Sequence, residues 1–311
     1  MEGRIEVRYS AGSDYNTSLT KHITFAGGEE HVTVVGPDRA PRRIDILARI
    51  KSSQDFIRLL MLKNALDHKW GRQQKPIYTL IMPYLPYARQ DRVTDVHFAF
   101  SLEVAAELIN GMKFDSVICA DVHSIVAGAL IKNLTELTAY DVFGAAVLQD
   151  QQLKVICGMK DLVLIVPDAG AQKRCEQVAR FLYEYREGAG CKASTVPLIP
   201  ASKVRDPATG AIVQTTIHWG SLEGAVGLVV DDICDGGRTF TELGKQAVAL
   251  GIDPHMMHLF VTHGIFSRGL LELFEFYASI HTTNSWCEYE LEESSDVNVI
   301  DIYKEAGIVQ T

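Results

Sequence analysis

The run Val226-Gly-Leu-Val-Val-Asp231-Asp232-Ile-Cys-Asp235-Gly236-Gly237-Arg238-Thr239-Phe-Thr241 constrains this chain more than any other stretch. It opens as a short apolar segment of the kind a parallel strand needs when both its faces are covered. Two adjacent carboxylates stand where such a strand would emerge. A glycine-rich turn with two threonines follows, and Leu243, Ala247 and Leu250 then fall on one face of a helix. Strand, acidic pair, Gly/Thr loop and helix together suit a sugar phosphate. Backbone N–H groups of the loop and the helix N-terminus can receive the phosphate, while the carboxylates can accept sugar hydroxyls or hold a metal.

The same alternation recurs along the chain. Ile44 to Ile50 reads as a strand, and Ser52 with Asp55 caps a helix running to Leu66. Pro76 to Met82 is a buried strand, Ser101 opens a helix closed by Asn110-Gly111, Val117 to Ala120 is a strand, and Val142 to Leu148 is helical. In the second half Leu162 to Val166, Thr195 to Ile199, Val226 to Val230 and Met256 to Val261 supply strands, with a helix from Gln172 to Tyr185. Repeated β-then-α units imply α/β layering with mostly parallel sheets. Strands in both halves end in polar residues (Asp121-Val-His123, Pro167-Asp168, Asp231-Asp232), which suggests internal duplication. The boundary is expected at the polar interruption Gln149–Gln152, giving domains 1–150 and 151–311, and the strand-like Val297 to Ile302 could pack back on the first half.

A length of 311 residues suits two domains of ordinary size, and a net charge of -9 argues against a general nucleic-acid surface. The six cysteines lack zinc-type or Cys-x-x-Cys spacing, which fits a reduced, cytoplasmic protein. The first residues lack the apolar core of a signal peptide, and no apolar run reaches the length of a membrane span, so neither secretion nor a membrane partner is expected.

A second span, Pro83-Tyr-Leu-Pro-Tyr87-Ala-Arg89-Gln90-Asp91-Arg92, follows a buried strand and clusters two arginines whose planar forks match phosphate oxygens. It is very similar to a signature of the PRPP synthetases (ribose-phosphate diphosphokinases), and the run from Asp231 to Thr239 resembles their ribose-phosphate loop. Further ordered matches are Phe25-Ala-Gly27-Gly28-Glu29, Asp121-Val-His123, Val166-Pro-Asp168-Ala-Gly170, Lys203-Val-Arg205 and Thr262 to Ser267, which extend the resemblance over nearly the whole chain.

The resemblance implies two phosphoribosyltransferase-like α/β domains, each a mostly parallel sheet flanked by helices, the first on the ATP side and the second holding ribose 5-phosphate. It implies transfer of pyrophosphate from ATP to the 1-hydroxyl of ribose 5-phosphate, with ATP as co-substrate, Mg2+ as cofactor and a homo-oligomer of two to six chains. By the same carry-over Lys203 and Arg205 are catalytic, on a polar segment able to close as a lid. Phe25, Gly27, Glu29, Arg89, Gln90 and Asp91 bind ATP, and His123 and Asp168 are metal-linked. Asp231, Asp232, Asp235, Gly236, Gly237, Arg238 and Thr239 bind the sugar phosphate.

Three positions depart from the family pattern. Arg238 stands at a glycine position of the phosphate loop, Gly27 stands where an aspartate is common, and Val93 to Phe100 lacks a basic, proline-containing segment tied to phosphate activation, which predicts weak regulation of that kind. Two other readings stay open: a phosphoribosyltransferase, which would share only the Asp231–Thr239 loop, and a non-catalytic partner subunit, which should show eroded sites.

Overall fold

In the computed structural model the described residues are 4–11, 14–71, 75–189, 195–205, 212–286 and 297–305. The described residues divide into two compact units, one up to Leu137 and the other from Thr138 on.

The first unit is built on the strands β1 (Arg4–Ala11), β2 (Asp14–Thr24), β3 (Glu30–Val35), β4 (Arg43–Arg49), β5 (Ile77–Ile81), β6 (Ser116–Ala120) and β7 (Leu134–Leu137). They form one sheet in the order β3-β2-β1-β4-β5-β6-β7. The strands β4 to β7 are parallel, and β1 to β3 add an antiparallel edge. Between the parallel strands lie the helices α1 (Ser53–Trp70), α2 (Ser101–Gly111) and α3 (Val126–Leu130). The start of α1 is fixed by the Ser52 hydroxyl, which accepts from the Asp55 N–H at 3.1 Å. Its Phe56, Leu59, Leu62, Leu66 and Trp70 recur at helical spacing and are buried against the sheet.

The second unit contains α4 (Ala139–Gln149), α5 (Gln151–Gly158), β8 (Leu162–Val166), α6 (Gln172–Gly188), β9 (Leu198–Arg205), β10 (Ile212–Ile217), β11 (Val226–Cys234), α7 (Arg238–Ala249), β12 (Met257–Gly264), α8 (Leu271–Phe274), β13 (Ser279–Thr283), β14 (Val297–Ile300) and α9 (Ile302–Glu305). Its sheet runs β10-β9-β8-β11-β12-β13-β14, parallel throughout except for the β9–β10 hairpin. The all-apolar β8 is buried at every position, as a strand covered on both faces must be.

Two seven-stranded sheets, each parallel at one side and antiparallel at the other, match the duplicated α/β layout read from the sequence. Three details differ. The division falls after residue 137 rather than 150, because Phe143, Ala146 and Val147 of α4 are buried and the Phe143 ring lies 5.1 Å from that of Phe260 on β12. The Val297–Ile300 strand pairs with β13 in the second unit's own sheet. Strands β1 to β3 are absent from the sequence reading, although Arg4-Ile-Glu-Val-Arg-Tyr-Ser-Ala11 alternates polar and apolar residues as a half-buried strand does.

Cys119, Cys157, Cys175 and Cys234 are buried and form no disulfide. Among the described residues no helix is long and apolar enough to cross a membrane.

Candidate active site

In the second unit the chain leaves β8 through α6 to β9 on one side, then returns to β11 on the other. Open α/β sheets take ligands beyond the carboxyl ends of strands where the order reverses in this way. Strand β11 pairs with β8 only over Val226–Val229 but continues beside β12 to Cys234. Asp231 and Asp232 therefore sit inside an overhanging strand, not past its end. The turn after β8 and the start of α6 bring Asp168 and Arg174 to the same place.

These side chains form one electrostatic cluster. Arg174 Nη1 lies 3.1 Å from Asp231 Oδ1 and 3.6 Å from Asp232 Oδ1. Burial and the neighbouring Asp232 charge push the Asp231 carboxyl well above its ordinary value, with Arg174 opposing them. Two adjacent carboxyl groups on one strand are suited to a cation or to sugar hydroxyl donors. Asp168 is held differently. Its Oδ1 accepts from the N–H groups of Gly170 and Ala171 at 2.9 and 3.2 Å, and its Oδ2 accepts from Lys203 Nζ at 2.8 Å. Burial disfavours its ionised form, but the Lys203 ammonium prevails and holds the carboxyl below the usual range.

Lys203 belongs to strand β9 opposite Thr215, not to a loop, and its side chain is only 6% exposed. Arg205 closes the same strand opposite Ile212. The rest of the expected lid, residues 206–211, lies outside the described residues.

The Gly/Thr loop joins β11 to α7 as expected. Gly237 adopts φ 75°, a left-handed conformation that glycine takes without strain, and its carbonyl receives the N–H groups of Phe240 and Thr241 at 2.9 and 3.0 Å. Arg238 and Thr239 are the first two residues of α7. Asp235 is pinned from the neighbouring turn, where Ser267 donates its hydroxyl to Asp235 Oδ1 at 2.7 Å and its N–H to the Asp235 carbonyl at 3.0 Å.

The first unit holds a second cluster. Arg89, Gln90, Asp91 and Arg92, after β5, share a cleft of about 620 Å3 with His123, after β6. Tyr87 (φ 65°) and Asp121 (φ 40°) turn the backbone sharply before each group. The cleft is also lined by Thr94, His97 and Phe98, so the segment read only for its missing basic residues is part of the cleft wall.

Phe25, Gly27 and Glu29 are not in this cleft. They form the tip of the β2–β3 hairpin, where Phe25 N–H donates to the Glu29 carbonyl at 2.9 Å and Gly28 has φ +87°. Phe25 is 54% exposed, and with Glu29, Ile57 and Met61 it borders a separate hollow of about 790 Å3. The hairpin is tied to α1 through Glu30, whose carboxyl is lowered to about 2 chiefly by its hydrogen bond from Arg58.

The fit to magnesium rests on donor chemistry. Mg2+ takes oxygen ligands, keeps several waters and shares phosphate oxygens, so it does not need a cage of protein side chains. Among the described residues no cage of three His, Cys, Asp or Glu is present, whereas the adjacent Asp231 and Asp232 carboxyl groups offer the oxygens such an ion prefers.

Arg174 and His97 were missed in the sequence. Arg174 lies in the helix after Asp168, where a basic residue reads as ordinary helix surface, and only the overhang of β11 gives it two acidic partners.

No protein-family model matches the chain. A ribose-phosphate pyrophosphokinase of Hyphomonas neptunium is 27% identical over 266 residues, covering 84% of this chain and 77% of that relative. One from Cereibacter sphaeroides is 26% identical over 222 residues, covering 71% of this chain and 59% of the relative. The crystal structure of phosphoribosylpyrophosphate synthetase from Mycobacterium smegmatis superposes with a TM-score of 0.72 at 20% identity, over 94% of this chain and 88% of that one. Similarity to ribose-phosphate pyrophosphokinases thus extends over most of the chain, and the fold is that of a phosphoribosylpyrophosphate synthetase.

Proposed function

We propose that the protein transfers the diphosphate group of ATP to the 1-hydroxyl of ribose 5-phosphate, giving PRPP and AMP. The observation that carries this is the gathering of Asp168, Arg174, Lys203, Asp231 and Asp232 at the strand-order reversal, next to a Gly/Thr loop that opens α7. In the reaction the 1-hydroxyl oxygen bonds to the β-phosphorus of ATP and loses its proton. The bond from that phosphorus to the α–β bridging oxygen breaks, and its electrons leave on AMP. Charge develops on phosphate oxygens, so positioning and cations do most of the work.

Residues Asp235 to Thr239 take the 5-phosphate, using the loop and the N-terminal end of α7. Asp231 and Asp232 take the ribose hydroxyls or a magnesium ion bound to them. Lys203, with Arg205 in the same strand, is the cation offered to the transferring diphosphate, and Asp168 holds the ammonium in place beforehand. Arg89, Gln90 and Asp91 bind the phosphates and base of ATP, with His123 and Asp168 as the metal-linked residues. Magnesium, when bound, neutralises phosphate oxygens. Phe25, Gly27 and Glu29 project from a hairpin tip outside the Arg89–His123 cleft, which fits a homo-oligomer in which they complete the nucleotide site of a second copy.

The test is incubation with ATP, Mg2+ and ribose 5-phosphate. AMP and PRPP should appear in equal amounts. ADP in place of AMP would overturn the reading, and so would turnover only with PRPP and a free base, the behaviour of a phosphoribosyltransferase.

A further inference from the structure

We infer that Arg268 is an additional binding residue for the 5-phosphate, occupying the face of the phosphate loop that Gly236 leaves bare. This rests on the reading of Asp235 to Thr239 as the sugar-phosphate loop.

Strands β11 and β12 run in register to Cys234 and Gly264. Past that point their two turns stay side by side. Ile265 and Phe266 both donate N–H groups to the Cys234 carbonyl, at 2.8 and 3.0 Å, and Ser267 bonds Asp235 through both backbone and hydroxyl. The next residue in each turn is Arg268 and Gly236. A Cβ built on Gly236 would lie 3.5 Å from Arg268 Nε and 3.6 Å from its Cδ, so the arginine stem runs along the open side of the glycine. Leu273 closes the far end, 3.5 Å from a Cβ built on Gly237. Phe266 (φ 48°) and Gly269 (φ +78°) hold left-handed conformations on either side of this pair, and for phenylalanine that is a strained backbone.

The electrostatics then point to an anion. The N-terminal end of a helix carries partial positive charge and favours acids in its first turn. Helix α7 has no acid there; it begins with Arg238 and has Arg268 beside the loop. Asp235 offsets one of these charges. Arg268 is exposed and, among the described residues, makes no hydrogen bond or ion pair. An exposed guanidinium beside the N-terminal end of a helix that has no acid in its first turn suits an anionic ligand. A phosphomonoester dianion supplies the charge and the oxygens that an arginine fork matches.

Because Arg268 is exposed, Arg268→Ala should leave the fold intact. Its affinity for ribose 5-phosphate, measured by titration calorimetry, should fall about tenfold or more, the loss of one hydrogen bond to a charged group. KM for ribose 5-phosphate should rise in step while KM for ATP stays within about twofold, on the same reasoning that uniform binding is lost at one substrate only. Discrimination between ribose 5-phosphate and ribose should narrow, and Arg268→Lys should recover part of the loss. Unchanged affinity for ribose 5-phosphate in Arg268→Ala, in a protein that makes PRPP, overturns the role of Arg268 and spares the function. Arg268-dependent binding of ribose 5-phosphate in a protein that makes no PRPP does the reverse.

Discussion

Lys203 sits on a strand, 6% exposed and 2.8 Å from Asp168 Oδ2, so its ammonium is placed before any substrate arrives. In the proposed reaction a preplaced cation of this kind would act where charge develops during transfer. Lys203→Ala should lower kcat by about a hundredfold or more, with KM for either substrate changing only a few-fold, as expected when a contact strengthens mainly in the transition state. Steady-state kinetics decide it: a rise in KM with kcat intact would make Lys203 a ground-state binder. The tether itself has a pH sense. The Asp168 carboxyl is depressed in the fold, so its stabilising contribution is complete above the ordinary carboxylate value and fades as pH falls through the lower folded value.

His258 titrates in a window nearer neutrality. It bonds Ser279 Oγ at 2.8 Å, that hydroxyl bonds His281 Nε2 at 2.8 Å, and His281 Nδ1 meets Asp150 Oδ2 at 2.6 Å. Burial, with His281 adding to it, lowers the His258 imidazole from 6.5 to about 4. Between those values only the unfolded chain takes up the proton. Stability is therefore full above about 6.5 and declines as pH drops towards 4, by about 3 kcal/mol or less for this residue. Urea midpoints at pH 7.5 and 4.5 should show the decline, and His258→Gln should flatten that part of it. An unchanged slope in the variant would show that His258 charges readily within the fold.

At the scale of elements, α7 joins the Asp235–Gly237 loop to the core through a face made by Phe240, Leu243, Gly244 and Ala247. A Cβ on Gly244 would fall 2.7 Å from Phe276 Cγ, closer than real contacts allow. Gly244→Ala gains about 1 kcal/mol of helix propensity but forces a close-packed contact apart, which costs about 1–3 kcal/mol. The denaturant midpoint should fall with the m-value unchanged; a rise would mean that α8 and its flanking turn yield easily. The helices α1, α2 and α6 were legible in sequence because their buried residues recur at helical spacing. The sequence pattern places a strand at Thr195–Ile199 with a loop after it; β9 runs from Leu198 to Arg205 instead, because its antiparallel partner β10 extends the pairing as far as Arg205.

For the molecule as a whole, the boundary matters most. Helix α4 belongs to the second unit, where Phe143 meets the rings of Phe260 and Phe181 at 5.1 and 5.8 Å and Gln149 exchanges hydrogen bonds with the Asp301 backbone. Phe143→Ala should cost about 3–5 kcal/mol, the range for deleting a buried ring. In calorimetry the loss should appear as a shift of the second unit's transition with the first unit's unmoved. Equal shifts of both would mean that the chain unfolds as one cooperative body.

Sequence alone determined what depends on neighbours along the chain. It gave the alternation of apolar strands with helical patterns, the Ser52 cap, the acidic pair before Gly236-Gly237, and the Arg89–Arg92 cluster, since each is a local pattern with a local physical cause. Tertiary structure decided the partners. Arg174 finds Asp231 across 57 residues, Lys203 finds Asp168 across 35, Ser267 finds Asp235 across 32, and His281 finds Asp150 across 131. None of these distances follows from residue spacing. They follow from the order in which strands lie in a sheet and from how far each outruns its neighbour, and that order is fixed by packing of the whole unit.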